Sequence, residues 1–115
     1  MLVEHTQEQK GKSLKVKMAI EYIREHYAKD ISVVEIAAHL DIRSTYLSTL
    51  FKKETGKTLS EYMENIRIEK AKELLKDGHL RINEVAQMLG YNNPNYFASV
   101  FNKVVGIYPS EYRRK

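Results

Sequence analysis

The 115 residues include 43% hydrophobic and 30% charged side chains, no cysteine, two prolines and five glycines, with a formal net charge of +4. A chain of this size makes one domain or two very small ones sharing a core, and so few turn-forming residues favour helices over a many-turned β fold. The composition excludes disulfides, cysteine nucleophiles and thiolate metal sites. It permits a polyanionic partner without demanding one, and no apolar run approaches a membrane span or a secretory signal, so a cytoplasmic location is expected.

Residues 1–12 lack a helical stripe and read as a tail or linker where another domain would attach. From Ser13 to Tyr27, apolar residues Val16, Ala19, Ile20, Ile23 and Tyr27 recur at three- and four-residue steps, predicting an amphipathic helix capped by Ser13. Ser32 with Glu35 forms a capping-box pattern for a short helix, Val33–Leu40, whose Ile36, Ala37 and Leu40 face inward. Asp41, Ile42 and Arg43 make a turn. Ser44 is placed to cap the next helix, Thr45–Thr55, with Leu47, Leu50 and Phe51 inward and Gly56 as its stop. Two short helices joined this way form a helix-turn-helix unit. Leu59–Lys76 is a long helix with apolar residues on more than one side, about 27 Å in length at about 1.5 Å per residue, suited to linking two units. A second short helix follows at Ile82–Leu89, then a turn at Gly90, Tyr91 and Asn92. Asn93 as cap and Pro94 at the first position open the helix 95–105, which Gly106 ends, and Pro109 opens a last short helix.

The chain repeats itself. Tyr46–Tyr62 returns as Tyr96–Tyr112 with seven of seventeen positions identical, and E-I-A-A-H-L at Glu35–Leu40 returns as E-V-A-Q-M-L at Glu84–Leu89. The first halves align at a spacing of forty-nine and the second at fifty, so one residue separates the two turns. The expected division is 1–12 tail, 13–57 first subdomain, 58–77 linker helix and 78–115 second subdomain. The tyrosines and phenylalanines of the repeat are expected first of all as core anchors.

Signs of catalysis are missing: His5, His26, His39 and His79 are scattered without an H-x-x-x-H pair, and no phosphate-loop, dinucleotide or nucleophile-elbow motif occurs, so no cofactor and no metal is expected. In a helix-turn-helix unit the second helix enters the major groove with its N-terminal and outward residues. Those residues are Ser44, Thr45, Ser48, Thr49 and Lys52 in the first unit, and Asn93, Asn95, Tyr96, Ser99 and Asn102 in the second. Hydroxyls and amides there can donate to and accept from bases or phosphates, although capping competes at Ser44 and Asn93. Lys52, Lys53, Lys57, Lys103, Arg113, Arg114 and Lys115 are candidates for phosphates. Arg67, amid apolar neighbours, reads as a structural ion-pair partner of Glu35 or Glu84.

The pattern E-I-A-x-x-L … Y-L-S-x-L-F-K-K-E-T-G-K … R-I-x-K-A-K-E-L-L … G-Y-x-x-x-x-Y-F-x-x-x-F-x-K-x-x-G-x-x-P-S-E-Y-R resembles the DNA-binding domain of AraC/XylS-type bacterial transcription regulators over Ser13–Arg114. The resemblance implies an all-α fold of seven helices in two helix-turn-helix subdomains joined by a long linker helix. It also implies that both recognition helices enter successive major-groove segments of double-stranded DNA, with RNA polymerase a further candidate partner. It places readout on Thr45, Ser48 and Thr49 and on Asn95, Tyr96 and Ser99, with Lys52, Lys53, Asn102 and Lys103 nearby. Many family members carry arginine where this chain has Thr49 and Ser99, and lysine where it has Asn102. The Lys-rich first helix and the K-E-T-G-K … R-I-E-K-A-K-E-L-L run resemble the receiver-linked members most, which implies a fragment of a response regulator or, as the less favoured reading, a single-domain member, monomeric as an isolated domain and able to dimerise in the intact protein. A helical module that binds a partner protein is the alternative, told apart by whether the second helices share a basic or an apolar surface. A small helical enzyme would need a pocket with convergent titratable groups.

Overall fold

The structure, a computed structural model, describes residues 11–115. The expected tail at 1–12 and His5 lie outside the described residues as far as position 10. Among the described residues there are seven helices and no strand: α1 (Leu14–His26), α2 (Val33–His39), α3 (Ser44–Thr55), α4 (Leu59–Leu75), α5 (Ile82–Met88), α6 (Pro94–Val105) and α7 (Pro109–Arg114). No helix among them is long and apolar enough to cross a membrane. The all-α fold and the order of helices agree with the sequence expectation.

The chain forms two compact units. The first comprises the described residues up to His26 with Ile31–Tyr62, the second Tyr27–Asp30 with Met63–Lys115. In the first, α1, α2 and α3 pack on one another, and Val16, Ala19, Ile20, Ile23, Ile36, Ala37, Leu40, Leu47 and Phe51 are buried. In the second, Ile68, Ala71 and Leu75 of α4 bury against Val85, Ala86, Leu89, Tyr91, Phe97, Val100 and Phe101. Each large apolar side chain so buried contributes about 1.5–3 kcal/mol. The aromatic closure is the same in both. Tyr62 meets Phe51 edge-on at 5.3 Å and 86°, and Tyr112 meets Phe101 at 5.4 Å and 71°.

Local capping partly departs from the sequence expectation. The Ser32 hydroxyl caps α2, accepting from the Glu35 N–H at 3.1 Å. The Glu35 carboxylate does not return the bond; it accepts a long one, 3.5 Å, from the Tyr22 hydroxyl. Ser44 does not cap α3. It is the first helical residue, Arg43 holds the cap position, and no side chain caps that end. The reciprocal box stands instead at α4, where the Thr58 hydroxyl accepts from the Glu61 N–H (3.1 Å) and Glu61 accepts from the Thr58 N–H (2.9 Å). Asn93 caps α6 as expected, its side chain accepting from the N–H groups of Asn95 (2.8 Å) and Tyr96 (3.3 Å).

Arg67 has carbonyl partners in place of the carboxylates expected for it. Its Nε donates to Tyr27 O (2.6 Å) and its Nη2 to Lys29 O (3.0 Å), while its guanidinium lies 5.2 Å from the centre of the Tyr91 ring. Within the second unit Arg113 does the same, donating to Leu75 O (2.9 Å) and Asp77 O (3.2 Å). Both arginines satisfy carbonyls at or beyond the end of a helix, groups with no intrahelical donor. Arg113 therefore leaves the set of phosphate candidates with its guanidinium already engaged.

Two outcomes test this account. Gly90 has φ +93°, and a Cβ there would stand 2.5 Å from Ala28 O, whereas at Gly106 (φ +98°) nothing lies within 4 Å. Gly106→Ala should cost about 1–2 kcal/mol, the left-handed penalty alone, and Gly90→Ala clearly more; equal urea midpoints would refute the close approach. The Glu61 carboxyl titrates below its usual 4.5, chiefly through the Thr58 backbone bond, which outweighs the opposing effect of desolvation, and further through Lys52. A lowered folded-state pKa contributes stability that is complete above the ordinary value and lost as pH falls through the folded value. The melting-temperature advantage of wild type over Glu61→Gln should thus be present at neutral pH and vanish on acidification below that value.

Candidate nucleic-acid interface

Each unit turns its chain by the same backbone device. In the first, the Ile42 N–H donates to Ala37 O and in the second the Tyr91 N–H donates to Ala86 O, both at 3.0 Å. The residue just before the donor is left-handed: Asp41 at φ 58° and Gly90 at φ 93°. Aspartate is among the few non-glycine residues that enter this region readily, whereas Gly90 is fixed as glycine by the Ala28 carbonyl against it. The second turn has one more residue, and that residue provides Asn93, whose side chain makes the cap that α3 lacks.

With one face of α3 held by buried Leu47 and Phe51, Thr45, Ser48, Thr49, Lys52 and Lys53 are exposed and Ser44 is half-buried. Ser44, Thr45, Ser48 and Thr49 make no side-chain hydrogen bond with any described residue, so their hydroxyls are available to a ligand. On α6, Phe97, Val100 and Phe101 are buried; Asn95, Tyr96, Ser99 and Lys103 are exposed and Asn102 is half-buried. Asn93 is exposed but engaged as the cap. Each unit thus gathers its own half of the expected residues on one outward surface.

The charges on the two surfaces differ. Lys52 lies 4.0 Å from Glu61, while Lys53 has no ion pair with any described residue. Lys103 is paired with Glu64 at 3.3 Å. The exposed Lys52–Glu61 pair is worth little, about 0–1 kcal/mol, and opens readily to a competing anion, while Glu64 is half-buried. The first unit therefore offers a basic helix and the second an amide-bearing one.

Tyr62 and Tyr112 are core anchors as expected of the repeat's tyrosines; Tyr46 is not, at 55% exposed, and Tyr96, at 58%, stands outward as also expected of it. Tyr46 is the residue that sequence reasoning missed on this surface. The signal existed: it precedes Lys53 by seven residues, two helical turns, and so shares its side of the helix and not that of Leu47 and Phe51. Tyr91 is the inward aromatic of the second turn. Its hydroxyl is buried without a partner among the described residues, and burial raises its pKa against the opposing pull of Arg67.

A family model described as a helix-turn-helix domain matches residues 36–115. The chain is 40% identical over 95 residues to the xylose operon regulatory protein of Escherichia coli, covering 83% of this chain and 24% of that one. It therefore spans about a quarter of the length of that relative. Among solved structures, it is similar to the C-terminal domain of AraT, a response regulator from Geobacillus stearothermophilus, with TM-score 0.86, 36% identity and coverage of 90% and 87% of the two chains. The DNA-binding domain of AdpA, solved in complex with a target DNA, shares the fold, with TM-score 0.81, 22% identity and coverage of 89% and 92%. With the duplicated turn, the glycine-stopped second helices and the family match over most of its length, the chain belongs to the AraC/XylS-type helix-turn-helix family of bacterial DNA-binding transcription regulators.

Proposed function

We propose that this chain reads double-stranded DNA with α3 and α6, each helix meeting a major-groove segment of its own. The observation that carries the reading is the pair of outward surfaces, one in each unit, whose hydroxyls and amides have no partners among the described residues apart from the Asn93 cap. Thr45, Ser48 and Thr49 of α3 and Asn95, Tyr96 and Ser99 of α6 face base edges. Ser44, Lys52, Lys53, Asn102 and Lys103 meet the backbone, and Asn93 holds the start of α6 in place. A protein-binding surface would be apolar at its centre; here Lys52, Lys53 and Lys103 stand on it, which favours a phosphate-bearing partner. Similarity to a response regulator's C-terminal domain supports a role as the output domain of a signal-driven regulator.

The readout chemistry is mild. Arginine paired to guanine is the commonest strong base contact, and neither Thr49 nor Ser99 can make it. Discrimination between sequences is consequently loose, and affinity leans on phosphate contacts and DNA shape.

Binding of the chain to duplex fragments across a salt series tests the reading, and a lack of salt-sensitive binding to any duplex would end it. Thr49→Arg should shift base preference towards guanine by about 1–3 kcal/mol at one position, seen as a changed consensus in selection from a randomised duplex pool. Lys53→Ala should weaken all sequences alike and reduce the salt slope by about 1. If both variants bind as wild type does, α3 is not the groove helix.

A further inference from the structure

Seven positions are identical between the two copies of the repeat. Phe51, Gly56 and Tyr62, with Phe101, Gly106 and Tyr112, have plain structural reasons: ring packing and left-handed helix ends. Ser60 and Glu61, with Ser110 and Glu111, stand in the first turns of α4 and α7. The remaining pairs, Tyr46/Tyr96 and Lys53/Lys103, lie exposed on α3 and α6 outside the buried cores. Tyr46 makes no hydrogen bond or ring contact, and Lys53 no ion pair, with any described residue. Other outward residues between them differ from copy to copy: Thr49 against Ser99, and Lys52 against Asn102.

A duplicated unit that reads two different sequences must vary where it touches bases and stay constant where it touches what every sequence shares. We propose that Tyr46 is a DNA-contact residue and that, with Lys53, it forms a sequence-independent backbone grip, repeated in the second unit by Lys103 and by Tyr96, whose identity in both copies moves it from the base-edge set to the backbone. The two side chains lie two turns apart on one flank of the helix, about 10.5 Å along its axis, a spacing suited to phosphates of one strand. The Tyr46 hydroxyl donates to a phosphate oxygen and Lys53 supplies charge to another. The grip is stronger in the first unit. Lys103 must leave Glu64, 3.3 Å away, before it can meet a phosphate, whereas Lys53 has no such partner. Tyr96 leans on Tyr91, with ring centres 6.0 Å apart, and Tyr46 stands clear. This proposal rests on the reading of α3 and α6 as groove helices.

The test uses the whole chain and two probes of equal length: a duplex selected from a randomised pool by the wild-type protein, and a mixed-sequence duplex. Tyr46→Ala is expected to lower affinity for both by the same factor, about tenfold for a hydrogen bond to a charged acceptor. The salt slope and the sequence selected from the pool stay unchanged. Tyr46→Phe, which keeps the ring, is expected to lose nearly as much, and Tyr96→Ala less than Tyr46→Ala. Helical circular dichroism confirms that each variant is folded, as an exposed position allows. Wild-type affinity in Tyr46→Ala overturns the grip while leaving the groove reading intact, and so does a loss confined to the selected duplex with a new consensus. Full affinity in Tyr46→Phe overturns the role of the hydroxyl. A wild-type chain that binds neither probe overturns the proposal together with the reading beneath it.

Discussion

A single left-handed residue, Asp41 in one unit and Gly90 in the other, turns the chain from a short helix into the helix that carries the candidate contact residues. The hydrogen bond that follows, from Ile42 to Ala37 O or from Tyr91 to Ala86 O, locks the second helix to the first. Once that direction is set, Leu47 and Phe51 in one unit, and Phe97, Val100 and Phe101 in the other, can go inward together. Burial of those side chains then decides which residues are left outward. The surface offered to a ligand is in this sense the complement of the core, and it inherits the core's precision.

The two units reach this arrangement by different local means. Asp41 accepts the left-handed conformation within a turn that has room for its side chain; Gly90 has none, because the Ala28 carbonyl fills the space. The longer second turn brings Asn93 to cap α6, and α3 begins without a side-chain cap. Packing tolerates such variation because what it needs from the turn is a direction, not a particular side chain. Polar groups left over by this geometry are met from elsewhere in the second unit, where Arg67 and Arg113 each bridge two carbonyls at or beyond a helix end.

The chemistry of the outward surfaces explains the character of the proposed recognition. Short hydroxyls and amides reach base edges only when the helix lies deep and well placed, and they distinguish bases less sharply than a forked guanidinium. Backbone contacts then fix position, and positioning is what makes weak base contacts count. Lys52, held loosely by the exposed carboxylate of Glu61, can exchange that partner for a phosphate at little cost, whereas Lys103 must first leave the half-buried Glu64.

The sequence by itself determined the helices, the duplication and the family. Three- and four-residue periodicity, glycine stops and a repeat at forty-nine and fifty residues are local signals, and local signals survive without knowledge of the fold. It also marked Thr45, Ser48, Thr49, Asn95 and Ser99 as outward, since each lies off a clear apolar stripe. Where a residue had two plausible partners, the tertiary structure decided. Ser44 looked like a cap and proved to be the first helical residue; Arg67 looked like an ion-pair partner and proved to hold carbonyls forty and thirty-eight positions away. Tyr46, Tyr62, Tyr96 and Tyr112 look alike in the repeat, yet two are packed edge-on against phenylalanines and two stand exposed. An aromatic ring beside a polar tip suits either environment. Only the packing of the helices settles which rings it has room to bury.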